Sequence, residues 1–174
     1  AALPDWTADD EELSQTDWLP HLRTVETMWG QQAVAVPLGA PQLAVLYRKD
    51  VLEALDQTPP STWRDFDELC RQIREDAKAQ DLPGAASADW EVCAQPLAKG
   101  WAGQVFLARA APYVRDADRY TALFDYKTMV PLIDQPPFVR ALEELVRTAA
   151  PASLDDTPAR VREKLLRGQC AMAV

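Results

Sequence analysis

From Gln31 to Asp50 the chain reads Q-Q-A-V-A-V-P-L-G-A-P-Q-L-A-V-L-Y-R-K-D. The apolar runs Ala33–Val36 and Leu43–Tyr47 are too short for helices and predict two buried strands. Between them stand Pro37, Gly39 and Pro41. Proline has no N–H to give to a sheet and glycine admits backbone angles that other residues avoid, so the chain is expected to leave one sheet here and enter another. The segment 37–42 is then a crossing between two sheets.

Working outward, Thr7 followed by Asp9, Asp10, Glu11 and Glu12 marks a helix start, with acids at the positive end of the helix dipole. Leu22, Val25 and Trp29 recur at helical spacing after Pro20, which predicts a packed Trp29. Downstream, Lys49–Leu55 predicts a short helix. Thr62 with Asp65 resembles a capping box, and Trp63, Phe66, Leu69, Cys70, Ile73 and Ala77 make one apolar helical face. Trp90–Ala94 predicts a strand, Gln95–Gly100 a loop, and Gly100-Trp101 a helix start running to about Ala111. Residues 123–130 suggest a hairpin or long loop.

Pro136-Pro137 suits a helix first turn, with an inward face of Phe138, Ala141, Leu142, Leu145, Val146 and Ala149. Thr157-Pro158 opens the last helix, Gly168 closes it, and Cys170, Met172 and Val174 form a final strand. Strand, loop and helix start in succession predict an α/β fold, which holds ligands beyond the carboxyl ends of its strands.

Several stretches resemble the extracellular solute-binding proteins of ABC importers, family 1, in its carbohydrate-binding group. They are V-P-L-G at Val36–Gly39 with L-A-V-L-Y-R-K-D-V-L-E-A-L after it, T-P-P-S-T-W-R-D-F-D-E-L, G-W-A-G-Q-V-F-L at Gly100–Leu107, V-P-L-I-D-Q-P-P-F-V-R-A-L at Val130–Leu142, and L-L-R-G-Q-C-A-M-A-V at Leu165–Val174. The resemblance implies a periplasmic-binding-protein-like fold of type II, with a parallel-rich sheet flanked by helices. It implies that 1–36 is the end of the N-terminal lobe with the first hinge strand, 37–42 the interlobe crossing with Val36, Pro37 and Gly39 as hinge, and 43–174 the C-terminal lobe. The family's chain is longer, so this one reads as a fragment.

The implied function is capture of a carbohydrate or similar polar solute in an interlobe cleft and delivery to ABC permease subunits. The implied location is the periplasm or cell exterior, with a lipid anchor as one means of retention. A ligand-sensing module on the same fold is the alternative, and an α/β enzyme a weaker one.

Composition agrees with a globular chain: 48% of the 174 residues are hydrophobic and 26% charged. A formal charge of -9, from 18 basic and 27 acidic residues, disfavours nucleic acid and anionic lipid. No run approaches the ~20 apolar residues of a membrane span. Cys70, Cys93 and Cys170 lack metal-ligand spacing and read as small buried hydrophobes, so neither a metal site nor a disulfide framework is expected. His21 is the only histidine. With no nucleophile elbow, phosphate loop or dinucleotide fingerprint, the sequence predicts neither catalytic residues nor a cofactor.

The candidate ligand contacts are Trp101, Gln95, Gly100, Gln42 and Pro41. An indole at a helix start after a strand and loop can stack on the C–H face of a pyranose; it can equally be the first residue of a buried helix face with Val105. Gln95 both donates and accepts, which suits a hydroxyl. Where the resemblance places a ligand-binding acid on the crossing, this chain has Pro41, with Gln42 beside it as the substitute.

Overall fold

The computed structural model of the protein describes residues 3–4, 18–39, 42–75, 81–114 and 122–174. The helix start predicted after Thr7, the end of the apolar face at Ala77, and Pro41 lie outside the described residues. The chain divides into two compact units, Ala1–Gln42 and Leu43–Val174.

In the first unit a wide helical turn, Leu22–Glu26, leads into strands β1 (Met28–Trp29) and β2 (Gln32–Ala33), which form an antiparallel hairpin. Gly30 at φ +64° supplies the left-handed residue that a two-residue hairpin turn needs. Two expectations change. The strand ends at Ala33 rather than Val36; the Val34 amide still donates to the Thr27 carbonyl (2.9 Å), opposite it in the hairpin register, and among the described residues no ladder bond follows from Ala35 or Val36. Trp29 is not a packing residue: it sits on the hairpin, 80% exposed.

The second unit is built on a three-stranded sheet in the order β3 (Leu46–Tyr47), β5 (Cys170–Ala173), β4 (Glu91–Ala94). β2 and β3 thus belong to different sheets, as the proline-glycine break predicted. The sheet is mixed, not parallel-rich: β4 runs parallel to β5, and β3 antiparallel to it. β5 is buried throughout, whereas Leu46 and Tyr47 are 52% and 43% exposed, since β3 pairs on one side only. The predicted buried strand Leu43–Tyr47 is therefore a short, exposed edge.

Among the described residues five α-helices accompany the sheet: α1 (Lys49–Ala54), α2 (Trp63–Glu75), α3 (Ala102–Val114), α4 (Pro136–Thr148) and α5 (Pro158–Leu166). α2 opens on the predicted cap. Thr62 Oγ1 accepts from Asp65 N–H (3.1 Å) and Asp65 Oδ2 accepts from Thr62 N–H (3.0 Å), so two donors of the first turn are met reciprocally. The Ser61 and Thr62 hydroxyls and amides hold the Asp65 carboxyl below the usual aspartate range. Phe66, Leu69, Cys70 and Ile73 then bury against Val51, Leu52, Val92, Cys93 and Met172. A second cluster gathers Ala94, Val161, Cys170 and Ala173 around α5 and the sheet.

The buried stripe of α4 is narrower than its apolar sequence. Phe138, Ala141, Leu145 and Thr148 are buried, but Leu142 and Val146 are 50% and 67% exposed, because they lie outside the row of side chains that α3 and α2 cover. Residues 123–132 form the predicted hairpin-like turn, with Asp125 N–H on the Val130 carbonyl (2.9 Å) and Leu132 N–H on that of Leu123 (2.9 Å). The three cysteines are free and buried.

Candidate functional site

β4 ends at Ala94, and the seven residues 95–101 carry the chain to α3. Two amides pin this loop from below: Leu97 N–H donates to the Ser153 carbonyl (3.2 Å) and Ala98 N–H to that of Asp156 (3.0 Å). Gly100 then turns the chain at φ +94°. A Cβ added there would meet nothing within 4 Å, so backbone conformation and not space selects glycine. Trp101 follows, its N–H on the Ala98 carbonyl (2.9 Å), and stands 40% exposed beyond the carboxyl end of β4.

The other sequence candidates lie elsewhere. Gln95 is fully buried, with Oε1 accepting from Arg109 Nη2 at 3.4 Å and Nε2 without a partner among the described residues. A solute hydroxyl does not reach it, and its role is beneath the loop rather than at the surface. Gln42 is exposed and belongs to the first unit. Val36 and Pro37 are half-buried and Gly39 is exposed; Gly39 does not use the left-handed backbone that its identity permits.

Two polar clusters under the loop were not foreseen. Arg109, on α3, is fully buried: Nη1 reaches Asp67 Oδ1 at 2.8 Å and Oδ2 at 3.2 Å, and Nη2 reaches Thr148 Oγ1 at 3.0 Å. Its guanidinium stacks 4.5 Å from the centre of the Trp63 ring. Burial raises the Asp67 carboxyl above the usual aspartate value even though Arg109 pulls it down. Second, Lys164 Nζ lies between Asp156 Oδ2 (2.5 Å) and Glu91 Oε1 (2.6 Å), with Arg160 Nε 3.1 Å from Asp156 Oδ1. Burial disfavours the Lys164 charge, but the bonds to Asp156 and Glu91 outweigh it and lift its pKa above the usual lysine value. Spacing held a signal for both cations, since Arg109 lies four residues after buried Val105 and Lys164 three after buried Val161.

A groove of about 870 Å³ between α2 and α4 is lined by Arg64, Arg71, Arg74, Arg140 and Arg147 with Asp67, Glu68 and Glu144, a charged surface ill-suited to a neutral ligand. A cavity of about 610 Å³ includes Trp63, Phe66 and Tyr113 in its wall. Trp63 is committed to the core: it meets Phe66 edge-on (centroids 5.6 Å apart) and gives Nε1–H to the Ala108 carbonyl (3.2 Å). No group of three His, Cys, Asp or Glu among the described residues could hold a metal ion.

Residues 1–174 match the family described as bacterial extracellular solute-binding protein. The chain belongs to that family. Among solved structures, the maltose-bound MalE3 of T. maritima is similar at 22% identity and TM-score 0.64, over 99% of this chain and 41% of that one. An ABC-transporter solute-binding protein of Agrobacterium vitis S4, with bound D-mannitol, is similar at 18% identity and TM-score 0.53, over 74% of this chain and 29% of that one. These likenesses show a periplasmic-binding-protein fold, and the chain spans about two-fifths or less of the length of either structure. The family is one of binding proteins, and its description places it outside the cell. Among the described residues no helix is long and apolar enough to cross a membrane.

Proposed function

We propose that the protein is the solute-capturing component of an ABC importer, taking a carbohydrate or similar polar solute in a cleft of the whole protein, with Trp101 as the stacking platform. The observation that carries this is the exposed indole on a pinned loop beyond the carboxyl end of β4, where α/β sheets hold their ligands. A stacking platform must keep one face open to meet a sugar, and the 40% exposure of Trp101, on a loop held through Leu97 and Ala98, is compatible with that. Recognition of a neutral polyol also fits the -9 charge, which would repel an anionic solute.

The two structures similar to it carry maltose and D-mannitol. The permease that receives the solute, retention by a lipid anchor, and the segment 37–42 with Val36, Pro37 and Gly39 as the hinge complete the reading. Calorimetric titration of the full-length protein with a panel of sugars and polyols, maltose and D-mannitol included, tests it. Saturable binding of one of them is expected, and silence across the panel would sink the proposal.

A further inference from the structure

Arg109 is the largest fully buried side chain among the described residues. Taking a guanidinium out of water costs several kcal/mol, and well-packed apolar residues often replace buried ion pairs without loss of stability. The network around it is also incompletely met, since Arg109 Nε and Gln95 Nε2 are buried with no partner among the described residues. Each such orphan lowers stability, since its lost hydration is not replaced. Stability alone is a poor account of this group.

Geometry offers a better one. From α3, the guanidinium joins Asp67 on α2, Thr148 on α4 and Gln95 at the first position of the loop. Trp101 adjoins the same helix, eight residues before Arg109, about 12 Å away along the axis at 1.5 Å per residue. One planar fork therefore fixes both ends of the segment 95–101: its start through Gln95, and its end through the register of α3 against α2 and α4. On the other side the carbonyls of Ser153 and Asp156 hold Leu97 and Ala98.

We propose that Arg109, acting through Gln95, is a positioning residue for the ligand loop 95–101 and sets where the Trp101 indole stands. This deepens the sugar-binding reading and rests on it for the role of Trp101. The test is amide hydrogen exchange in the full-length protein, comparing wild type with Gln95→Met and Arg109→Met. Gln95→Met removes the link to the loop and an unmet donor while leaving Arg109 bound to Asp67 and Thr148, so the fold should hold.

In both variants the amides of Leu97, Ala98 and Trp101 should exchange at least about tenfold faster, a loss of ~1.4 kcal/mol of local protection. The amides of Cys170–Ala173 should change only as far as global stability does. Whichever of maltose or D-mannitol the wild type binds, Gln95→Met should weaken it without lowering the melting temperature. Unchanged exchange at 97, 98 and 101 in Gln95→Met, or loop and β5 amides accelerating together, overturns the proposal. If the wild type binds no sugar or polyol of the panel, the sugar reading falls, and the exchange comparison still decides the positioning role.

Discussion

Lys164 Nζ lies 2.5 Å from Asp156 Oδ2, and the Asp156 carbonyl accepts the Ala98 amide of the 95–101 loop at 3.0 Å. A single residue thus ties a buried ion pair to the backbone that leads to Trp101. Lys164→Met would leave Asp156 and Glu91 buried with their main cation gone. Loss of one partner of such a pair costs about 3–5 kcal/mol, so urea midpoints should fall accordingly. A change within ~1 kcal/mol would mean the pair is far better solvated than its burial indicates.

Alkali should unfold the protein early. Burial lifts the Cys170 thiol from 9.0 to about 11 and pushes Cys93 well above its ordinary value, while Lys164 is raised by its two acids. In each case the folded state holds its proton more tightly than the unfolded chain. The stability involved is intact below about pH 9 and drains away as pH climbs through 11 and beyond. Denaturation midpoints at pH 8, 9.5 and 11 should fall in that order, and Cys170→Ala should flatten the decline. A flat profile for the wild type would contradict the assignment.

Trp101→Ala separates recognition from packing. If the indole is the platform, sugar affinity drops by about 1–3 kcal/mol, the scale of the lost aromatic contact, and the ligand-free melting temperature barely moves. The reverse pattern, a large stability loss with affinity intact in the folded fraction, would return Trp101 to the core.

Trp63→Ala should show that reverse pattern. It removes the ring that packs edge-on to Phe66 and under the Arg109 guanidinium, and large aromatic deletions cost about 3–5 kcal/mol. Chemical denaturation measures it. A loss below ~1 kcal/mol would mean that the cavity wall, not the core, is where Trp63 belongs.

How far the sequence could be read depended on whether the signal was local. The Thr62–Asp65 cap, the Phe66–Ile73 face and the separation of β2 from β3 followed from spacing and from proline chemistry, which act within a few residues. Trp29, Leu142 and Val146 were misjudged because apolar periodicity shows which residues can be buried, whereas burial also needs a neighbour to cover them. The strand-loop-helix order put Gly100 and Trp101 at the turn into α3, where the structure has them. Gln95 was placed in the right loop but at the wrong depth, because its partner Arg109 lies fourteen residues on and no local pattern joins them.

A protein outside the cell meets salt over a wide range, and its two kinds of ion pair will feel that range differently. Arg71 with Glu68 and Lys49 with Glu53 are open to solvent and fade as ions screen them. Lys164, Asp156 and Glu91 are shielded from those ions. The wall that carries Trp101 is therefore braced by charges that brine weakens far less, so its shape should change little between dilute water and concentrated salt even where the helices around it loosen.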